Sequence, residues 1–482
     1  MTVHFSGRPE PMQQAASGRR LWAREAVHSG AVPGILLSER GFLFSPSGIP
    51  EDFLHGMQNM SYNTRETASE GRDSMEGQQK IHITLVGGQS YPVYLGIVET
   101  KPDRAVLLCS KETRGSAEHI AEVAGIPPER REAVILDPVD VSQVSEAIGG
   151  WIAGMSPDAE YSVNVTGGTK IWAIVLYSLL SGRQNVRMFY IDQSNRLYDL
   201  SDISRKPSVL GTDMDVVFRL NGASAESYRA ITEFTDEDWG AVTAIENIYL
   251  RNHKPFQALT NPKFFRNRDE IEVPYSPAPA NGSTLEFDEY EGKGHADMRF
   301  LGNNGKPHPY RLDAPHLREL LFFAGWFELR VAGMLARWKK GSDIRLGVSF
   351  RYTSPESRPT TKNEIDIIMN TGVRLLFVEC KTQISATTDI DKFKTAVGNF
   401  GGTGCMALFV SYYTMLPNTR EKCRDCNVMC FSINDAQDEF RARHGLDRTS
   451  WMSERMKAEM NEYVDRELAR LLDDQLRKSN KK

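Results

Sequence analysis

The stretch from Asn363 to Gln383, NEIDIIMNTGVRLLFVECKTQ, restricts the fold more than any other part of the chain. Two apolar runs flank Asn370, Thr371 and Gly372, a turn signal, so the segment predicts a β-hairpin. Side chains alternate faces along a strand. Glu364 and Asp366 then share one face, and Glu379 and Lys381 share one face of the partner strand. Ile365, Ile367, Val378 and Cys380 point the other way. Folding at the turn brings the polar pairs abreast, which sets three carboxylates and one ammonium on an otherwise apolar hairpin. Charge is costly there unless it is paired or bound to metal.

The flanking pattern is helix 316–339, strand 344–352, the hairpin, helix 388–400, strand 404–412, helix 417–425 and strand 427–433. In helix 316–339, Leu317, Leu321, Ala324, Val331 and Leu335 form an apolar stripe, and Glu328 falls inside it. A core-facing Glu needs a partner, which a metal or Lys381 would supply. Asp366 and Glu379 on neighbouring strands suit a hard divalent cation, Mg²⁺ or Mn²⁺. Lys381 can orient or deprotonate a water or stabilise charge on a phosphate. Glu364 fits a second-metal or outer role. The competing reading is a salt-bridged hairpin edge, because E-x-K alone is common.

With this element order, Asp366, the E-x-K of Glu379 and Lys381, and Glu328 upstream, the segment resembles a PD-(D/E)XK nuclease core. The resemblance implies a restriction-endonuclease-like domain over 316–440. Its catalytic set would be Glu328, Glu364, Asp366, Glu379 and Lys381. Its metal ligands would be Asp366, Glu379, Glu328 and the main-chain carbonyl of Cys380. Ile365 stands where that family often has Pro.

From Lys80 to about Leu200 strands and helices alternate: strands at 81–86, 104–109, 132–136, 160–166, 186–191 and 196–200, helices at about 91–100, 115–125, 140–154 and 169–181. Such alternation predicts a parallel sheet covered on both faces, a Rossmann-like α/β domain. Two strands run into glycine loops. Val163 to Ile174, VNVTGGTKIWAI, passes from strand through Thr166, Gly167, Gly168, Thr169 and Lys170 straight into an apolar helix. The first strand ends in Gly87, Gly88, Gln89 and Ser90. Glycine admits a ligand close to the backbone, and helix N-terminal amides favour anions, so both loops suit phosphate or nucleotide. Neither is G-x-G-x-x-G nor a P-loop, which argues against NAD and ATP. Two ordinary tight turns are the competing reading.

The N-x-T-G-G-T-K run before an apolar helix resembles a CARF domain, the CRISPR-associated Rossmann fold. A CARF domain joined to a PD-(D/E)XK domain is similar to the ancillary nucleases of type III CRISPR systems. The resemblance covers about 80–440. It implies a homodimer binding a cyclic oligoadenylate, cyclic tetra-adenylate or cyclic hexa-adenylate, through Gly87, Gly88, Gln89, Ser90, Asn164, Thr166, Gly167, Gly168, Thr169 and Lys170. It also implies a metal-dependent endonuclease in antiviral defence, acting on ssDNA, ssRNA or nicked dsDNA. An unregulated repair or restriction-type nuclease with a scaffolding N-terminal domain is the alternative. A sensor with a degenerate hairpin is a third.

The expected organisation is a poorly ordered or accessory extension over 1–79, upstream of the first Lys, Lys80, a CARF domain over 80–212, a linker or insertion over 213–315, the nuclease domain over 316–440 and a C-terminal helix over 441–482. At 482 residues the chain has room for two or three domains. A net charge of −5 gives no global basic footprint, so a nucleic-acid partner rests on a local site. No apolar stretch is long enough for a membrane span, no signal peptide is legible, and the six cysteines read as reduced, which together predict a cytoplasmic protein. Cys423, Cys426 and Cys430 are spaced CxxCxxxC; they read as a helix end and a buried strand, with zinc as the alternative.

Overall fold

The structure, a computed structural model, describes residues 78–261, 270–302, 305–352, 364–384 and 387–479. The extension expected over 1–79 falls outside them but for its last two residues. The first sheet is built from β1 (Lys80–Leu85), helix α1 (Tyr91–Thr100), β2 (Arg104–Cys109), α2 (Arg114–Val123), β3 (Arg131–Ile135), α3 (Val141–Ala153), β4 (Glu160–Asn164), α4 (Lys170–Leu180), β5 (Val186–Ile191), β6 (Arg196–Asp199) and β7 (Ser208–Val209). Their order is β3-β2-β1-β4-β5-β6-β7. The first five are parallel, and β6 and β7 add on antiparallel. Strand β1 reads KIHITL with every residue after Lys80 buried, as expected for a sheet covered on both sides. Ile81, Ile83 and Leu85 face a core with Val144, Ile148, Trp172 and Leu176. Ala105, Leu107 and Cys109 of β2 face the other, with Ile97 and Ile120. The sheet is the Rossmann-like α/β layer that the alternation predicts.

A second sheet follows. Its elements are α5 (Met214–Leu220), β8 (Ala223–Ala230), α6 (Asp236–Thr260), β9 (Thr284–Tyr290), β10 (Lys293–Leu301), β11 (Pro307–Ala314), α7 (Leu317–Leu321), α8 (Gly325–Trp338), β12 (Ile344–Tyr352), β13 (Glu364–Asn370), β14 (Leu375–Lys381), α9 (Thr388–Gly401), β15 (Met406–Ser411), α10 (Pro417–Asp425), β16 (Met429–Ser432), α11 (Ile433–Arg443) and α12 (Glu454–Ser479). Six strands are ordered β16-β15-β14-β13-β12-β8, and β9 to β11 form a separate antiparallel sheet. Strands β12, β13 and β14 make an antiparallel meander, and β15 and β16 join β14 in parallel through α9 and α10. Among the described residues no helix is long and apolar enough to cross a membrane.

Two differences from the sequence reading matter for the site. Residues 213–315 do more than connect. Strand β8 pairs with β12 at the edge of the second sheet, and α6 sends Ile245, Ile248, Tyr249 and Phe256 into its core. The edge strand ASAESYRA buries only its first residue fully, so it carries no apolar run to announce it. The helix expected over 316–339 is two helices, broken where Phe323 and Ala324 take positive φ of 56° and 62°. Fully buried Phe322 leaves the helix to meet Tyr275 and Phe287 edge-on, at 5.4 and 5.2 Å. Those contacts outweigh the cost of two left-handed residues.

Candidate functional site

The ladder between β13 and β14 runs from Asn370–Leu375 to Ile367–Val378 and stops there. The next pair is Asp366 and Glu379, where the strands part. The Cys380 amide therefore lacks a ladder partner, and the Asp366 carboxylate accepts its hydrogen bond at 2.7 Å. The pleat breaks at the same point. Leu346 and Ile367 pack into one core, Val348 and Ile365 into the other, and between them lies Gly347 with φ +57°. Glu364 is exposed, with Oε1 3.3 Å from where a Cβ on Gly347 would sit. Gly347 had no signal in the sequence beyond being a glycine inside a strand pattern.

Lys381 Nζ lies 2.6 Å from Glu379 Oε1 and 3.6 Å from Asp366 Oδ2. Both carboxylates are mostly covered, at 15% side-chain exposure each. Burial, then the Asp366 charge, pushes the Glu379 carboxyl up to about 7 in spite of the Lys381 ammonium beside it. Burial lowers the lysine, but Asp366 and Glu379 outweigh it and hold the ammonium above its ordinary value. Two carboxylates against one ammonium leave a desolvated excess of negative charge.

Glu328 lies close to the same strand. It is half-buried on α8, and together with burial and Asp366 it raises the thiol of Cys380, which faces the core opposite to the side chains of Glu379 and Lys381. The helix break separates Glu328 from Leu317 and Leu321, but within α8 it keeps its spacing to buried Val331 and Leu335. Among the described residues no three His, Cys, Asp or Glu side chains close on one point as a metal cage. The donor set that fits a hard cation is thus Asp366 and Glu379. Their geometry favours one: two mostly covered carboxylates share a single ammonium at 2.6 and 3.6 Å, and a divalent ion would offset the remaining negative charge.

The glycine loops meet at the C-terminal edge of the first sheet. Strand β1 lies between β2 and β4, so successive connections leave it in opposite directions. That switch point is where open α/β sheets bind ligands. The loops after β1 and β4 touch: a Cβ on Gly87 would lie 2.7 Å from the Gly168 amide nitrogen, and one on Gly167 would overlap the Leu85 carbonyl oxygen. Gly168 has φ +69°. Gly88, Gln89 and Lys170 are exposed, Ser90 is half-buried, and Thr169 caps α4 by accepting from the Trp172 amide at 3.4 Å. Asn164 and Thr166 serve the loop itself. Buried Asn164 donates to the Pro92 carbonyl at 3.0 Å and accepts from the Thr166 hydroxyl at 2.6 Å, and that hydroxyl accepts from the Ile191 amide at 2.7 Å.

The turn of the hairpin is bound to the first sheet. Arg374 donates to the Gln193 carbonyl at 3.1 and 3.0 Å, Asn195 to the Val373 carbonyl at 3.0 Å, and Asn370 to the Thr212 carbonyl at 2.7 Å. A cavity of about 170 Å³ beside this joint is walled by Gly88, Gln89 and Ser90 on one side and Arg374 and Gly402 on the other. Helix α5 spans both bodies, with Val216 and Leu220 in the core of the first sheet and Val217 and Phe218 in that of the second. Of these residues, Asn370 was legible as a turn residue and Gly88, Gln89 and Ser90 as loop residues; Gln193, Asn195, Thr212, Arg374 and Gly402 carried no signal. The three cysteines Cys423, Cys426 and Cys430 lie on α10, just after it and on β16, all as free thiols.

Residues 81–211 match the family model of the Card1 CARF domain. No curated protein sequence matches the chain. Among solved structures, Can2 from Sulfobacillus thermosulfidooxidans in complex with cyclic tetra-adenylate is 18% identical with a TM-score of 0.50, over 73% of this chain and 95% of that one. Protein VC1899 from Vibrio cholerae is 13% identical with a TM-score of 0.51, over 73% of this chain and 94% of that one. At these identities the likeness is one of fold, and it extends beyond residues 81–211.

Proposed function

We propose that this chain, whose residues 81–211 form a Card1-type CARF domain, is a metal-dependent nuclease of type III CRISPR defence that a cyclic oligoadenylate switches on. In this reading residues 80–212 bind the messenger and residues 213–482 carry the nuclease. The observation that carries it is the joint. The turn of the hairpin bearing Asp366, Glu379 and Lys381 is hydrogen-bonded to the sheet whose switch point holds the glycine loops. A ligand at that edge has a short bonded path to the charged fork. Can2, of like fold, is solved with cyclic tetra-adenylate, which favours that ring over cyclic hexa-adenylate here.

A ring of identical nucleotides is symmetric, so two copies of the chain can grip it with the same loops. Ile174 and Tyr177 on the outer face of α4, with Val139 and Val141 nearby in the α3 entry, are exposed at 62, 46, 80 and 47%. Such an apolar rim beside the glycine loops supports a homodimer. Exposed Gly88, Gln89 and Lys170 would meet the ring, while Asn164 and Thr166 keep the loops in shape. At the fork, Mg²⁺ or Mn²⁺ would supply Lewis acidity and an activated water. Asp366 is held in place by the Cys380 amide, Glu379 is poised beside it, and Lys381 aims its ammonium at the same point, where it would stabilise charge on the phosphoryl oxygens.

The test is cleavage of labelled ssDNA, ssRNA and supercoiled plasmid by the purified full chain with Mn²⁺ or Mg²⁺, with and without cyclic tetra- or hexa-adenylate. Cutting is expected only with messenger and metal together. Equal cutting without messenger would leave the unregulated nuclease instead, and no cutting under any condition would remove the nuclease reading.

A further inference from the structure

The spacing CxxCxxxC places Cys423 in the last turn of α10, Cys426 just after it and Cys430 on β16. Alternation along β16 sends Met429 and Phe431 to one core and Cys430 to the other, on the side of its register partner Phe409. Helix α10 covers that same side, and there Cys423 is fully buried. Between the two the chain makes a tight return, with Asn427 at φ +53° and the Val428 amide donating to the Cys423 carbonyl at 2.8 Å. Helix and strand thus bring two thiols together, the buried one of Cys423 against the half-buried one of Cys430.

Cys426 is turned aside. Its Sγ lies 3.6 Å from Asp391 Oδ1 on α9, and that carboxylate is paired with Lys422 at 2.7 Å. Among the described residues the three thiols do not close on one point, as a zinc cage would require. What remains is a pair of unequal members. The hydrogen bond from the Cys423 thiol, with the guanidinium groups of Arg420 and Arg424, holds the Cys430 thiol down at about 7 in spite of burial. The same bond, then burial, pushes the Cys423 thiol up. Cys430 is therefore the accessible nucleophile, and Cys423 is its covered, protonated neighbour.

We infer that Cys430 and Cys423 are a redox modification site, a pair that hydroperoxides convert to a reversible disulfide. The Cys430 thiolate attacks one oxygen of hydrogen peroxide. An S–O bond forms, the O–O bond breaks, and the hydroxide that leaves takes a proton from solvent. The Cys423 sulfur then attacks the sulfenic sulfur of Cys430. The S–S bond forms, the S–O bond breaks, and the departing hydroxide takes the Cys423 proton as water. The two cysteines lose two electrons, the peroxide gains them, and two waters result. Because the thiols already touch, the second step outruns further oxidation of the sulfenic acid. A dithiol reductant reverses the reaction by exchange. The pair stands whether or not the chain cuts nucleic acid.

The experiment treats the reduced full chain with hydrogen peroxide near neutral pH, then unfolds it in N-ethylmaleimide and reads intact mass and peptides. Two of the six cysteines should escape capping, joined in one cross-linked peptide of Cys423 and Cys430, and dithiothreitol should return both. Cys430→Ser should slow the loss of thiols roughly tenfold. Cys423→Ser should leave a sulfenic acid on Cys430 that dimedone captures. Cys426→Ser should oxidise as the native chain does, which keeps the test sound if the buried Cys423 variant misfolds. Three results overturn the site. One is a cross-link that includes Cys426. Another is a native chain whose six thiols survive a dose of peroxide that oxidises a free cysteine peptide. The third is a stoichiometric zinc ion in the purified chain that Cys426→Ser releases.

Discussion

The edge of the first sheet and the fork of the second solve the problem of binding charged ligands in opposite ways. At the first, backbone does the work. Glycines pack so closely that Gly87 and Gly167 admit no Cβ, and the polar side chains Asn164 and Thr166 turn inward to hold the loops. At the second, side chains do it. Asp366, Glu379 and Lys381 are pressed together in a half-dry cleft where strand pairing ends. A shape made of backbone should tolerate changes of charge and fail on added bulk. A cluster of charge should respond in the opposite sense.

Four predictions press on that contrast. Lys381→Ala keeps the shape of the fork and removes the ammonium set against Glu379 and Asp366. Cleavage should fall by roughly a thousandfold or more, while calorimetry shows messenger affinity unchanged. A variant that still cuts would mean that the fork is not the reaction centre.

Gly167→Ala adds one methyl where the Leu85 carbonyl stands. A loss of roughly 1–3 kcal/mol in chemical denaturation and a sharp drop in messenger affinity are expected. Gly88→Ala, which has open space around its Cβ position, should be neutral in stability to within about 0.5 kcal/mol. Equal effects at the two glycines would break the contrast.

His82 tests the first sheet by pH. Burial lowers its pKa to about 3, and its Nδ1 lies 3.1 Å from the hydroxyls of Ser162 and Thr100. The unfolded chain takes up the proton near the ordinary histidine value and the folded chain does not. Stability from this group is therefore full above about pH 6.5 and declines as pH falls toward 3, by about 1.4 kcal/mol per unit. Urea melts at pH 6.5 and 5 should differ by about 2 kcal/mol more in the native chain than in His82→Gln. Identical slopes would show that the imidazole titrates freely.

Arg374 joins the two regions. Arg374→Ala removes its hydrogen bonds to Gln193. Messenger affinity and chain stability should hold, and the ratio of activated to basal cleavage should drop about tenfold, equivalent to a coupling of about 1.4 kcal/mol. Unchanged activation would route the coupling elsewhere, through α5 for example.

Much of the molecule was legible beforehand because local pattern and tertiary role agree. Strands 104–109, 186–191 and 344–352 and helix 417–425 have the bounds their patterns predict. Each is a buried run or an amphipathic face with turn residues beside it. The TGGTK loop was legible for the same reason, since contiguous residues make it. Strand β8 was not, because an edge strand with one face in water needs no apolar signature. The helix break ahead of Glu328 was not legible either, because a buried aromatic, Phe322, decided it through contacts distant in sequence.

By itself the sequence determined which chemistry this protein can hold: hard oxygen ligands and an ammonium on one hairpin, anion-binding amides behind two glycine loops. Residue types and short spacings carry that information, because alternation and turn formation act over a few residues. Only the tertiary structure decided which of these groups meet. The parting of β13 and β14 at Asp366, the helix break ahead of Glu328, and the hydrogen bonds from Arg374, Asn195 and Asn370 all depend on residues far apart in the chain. Packing brings such residues together, and packing is settled by the whole core at once.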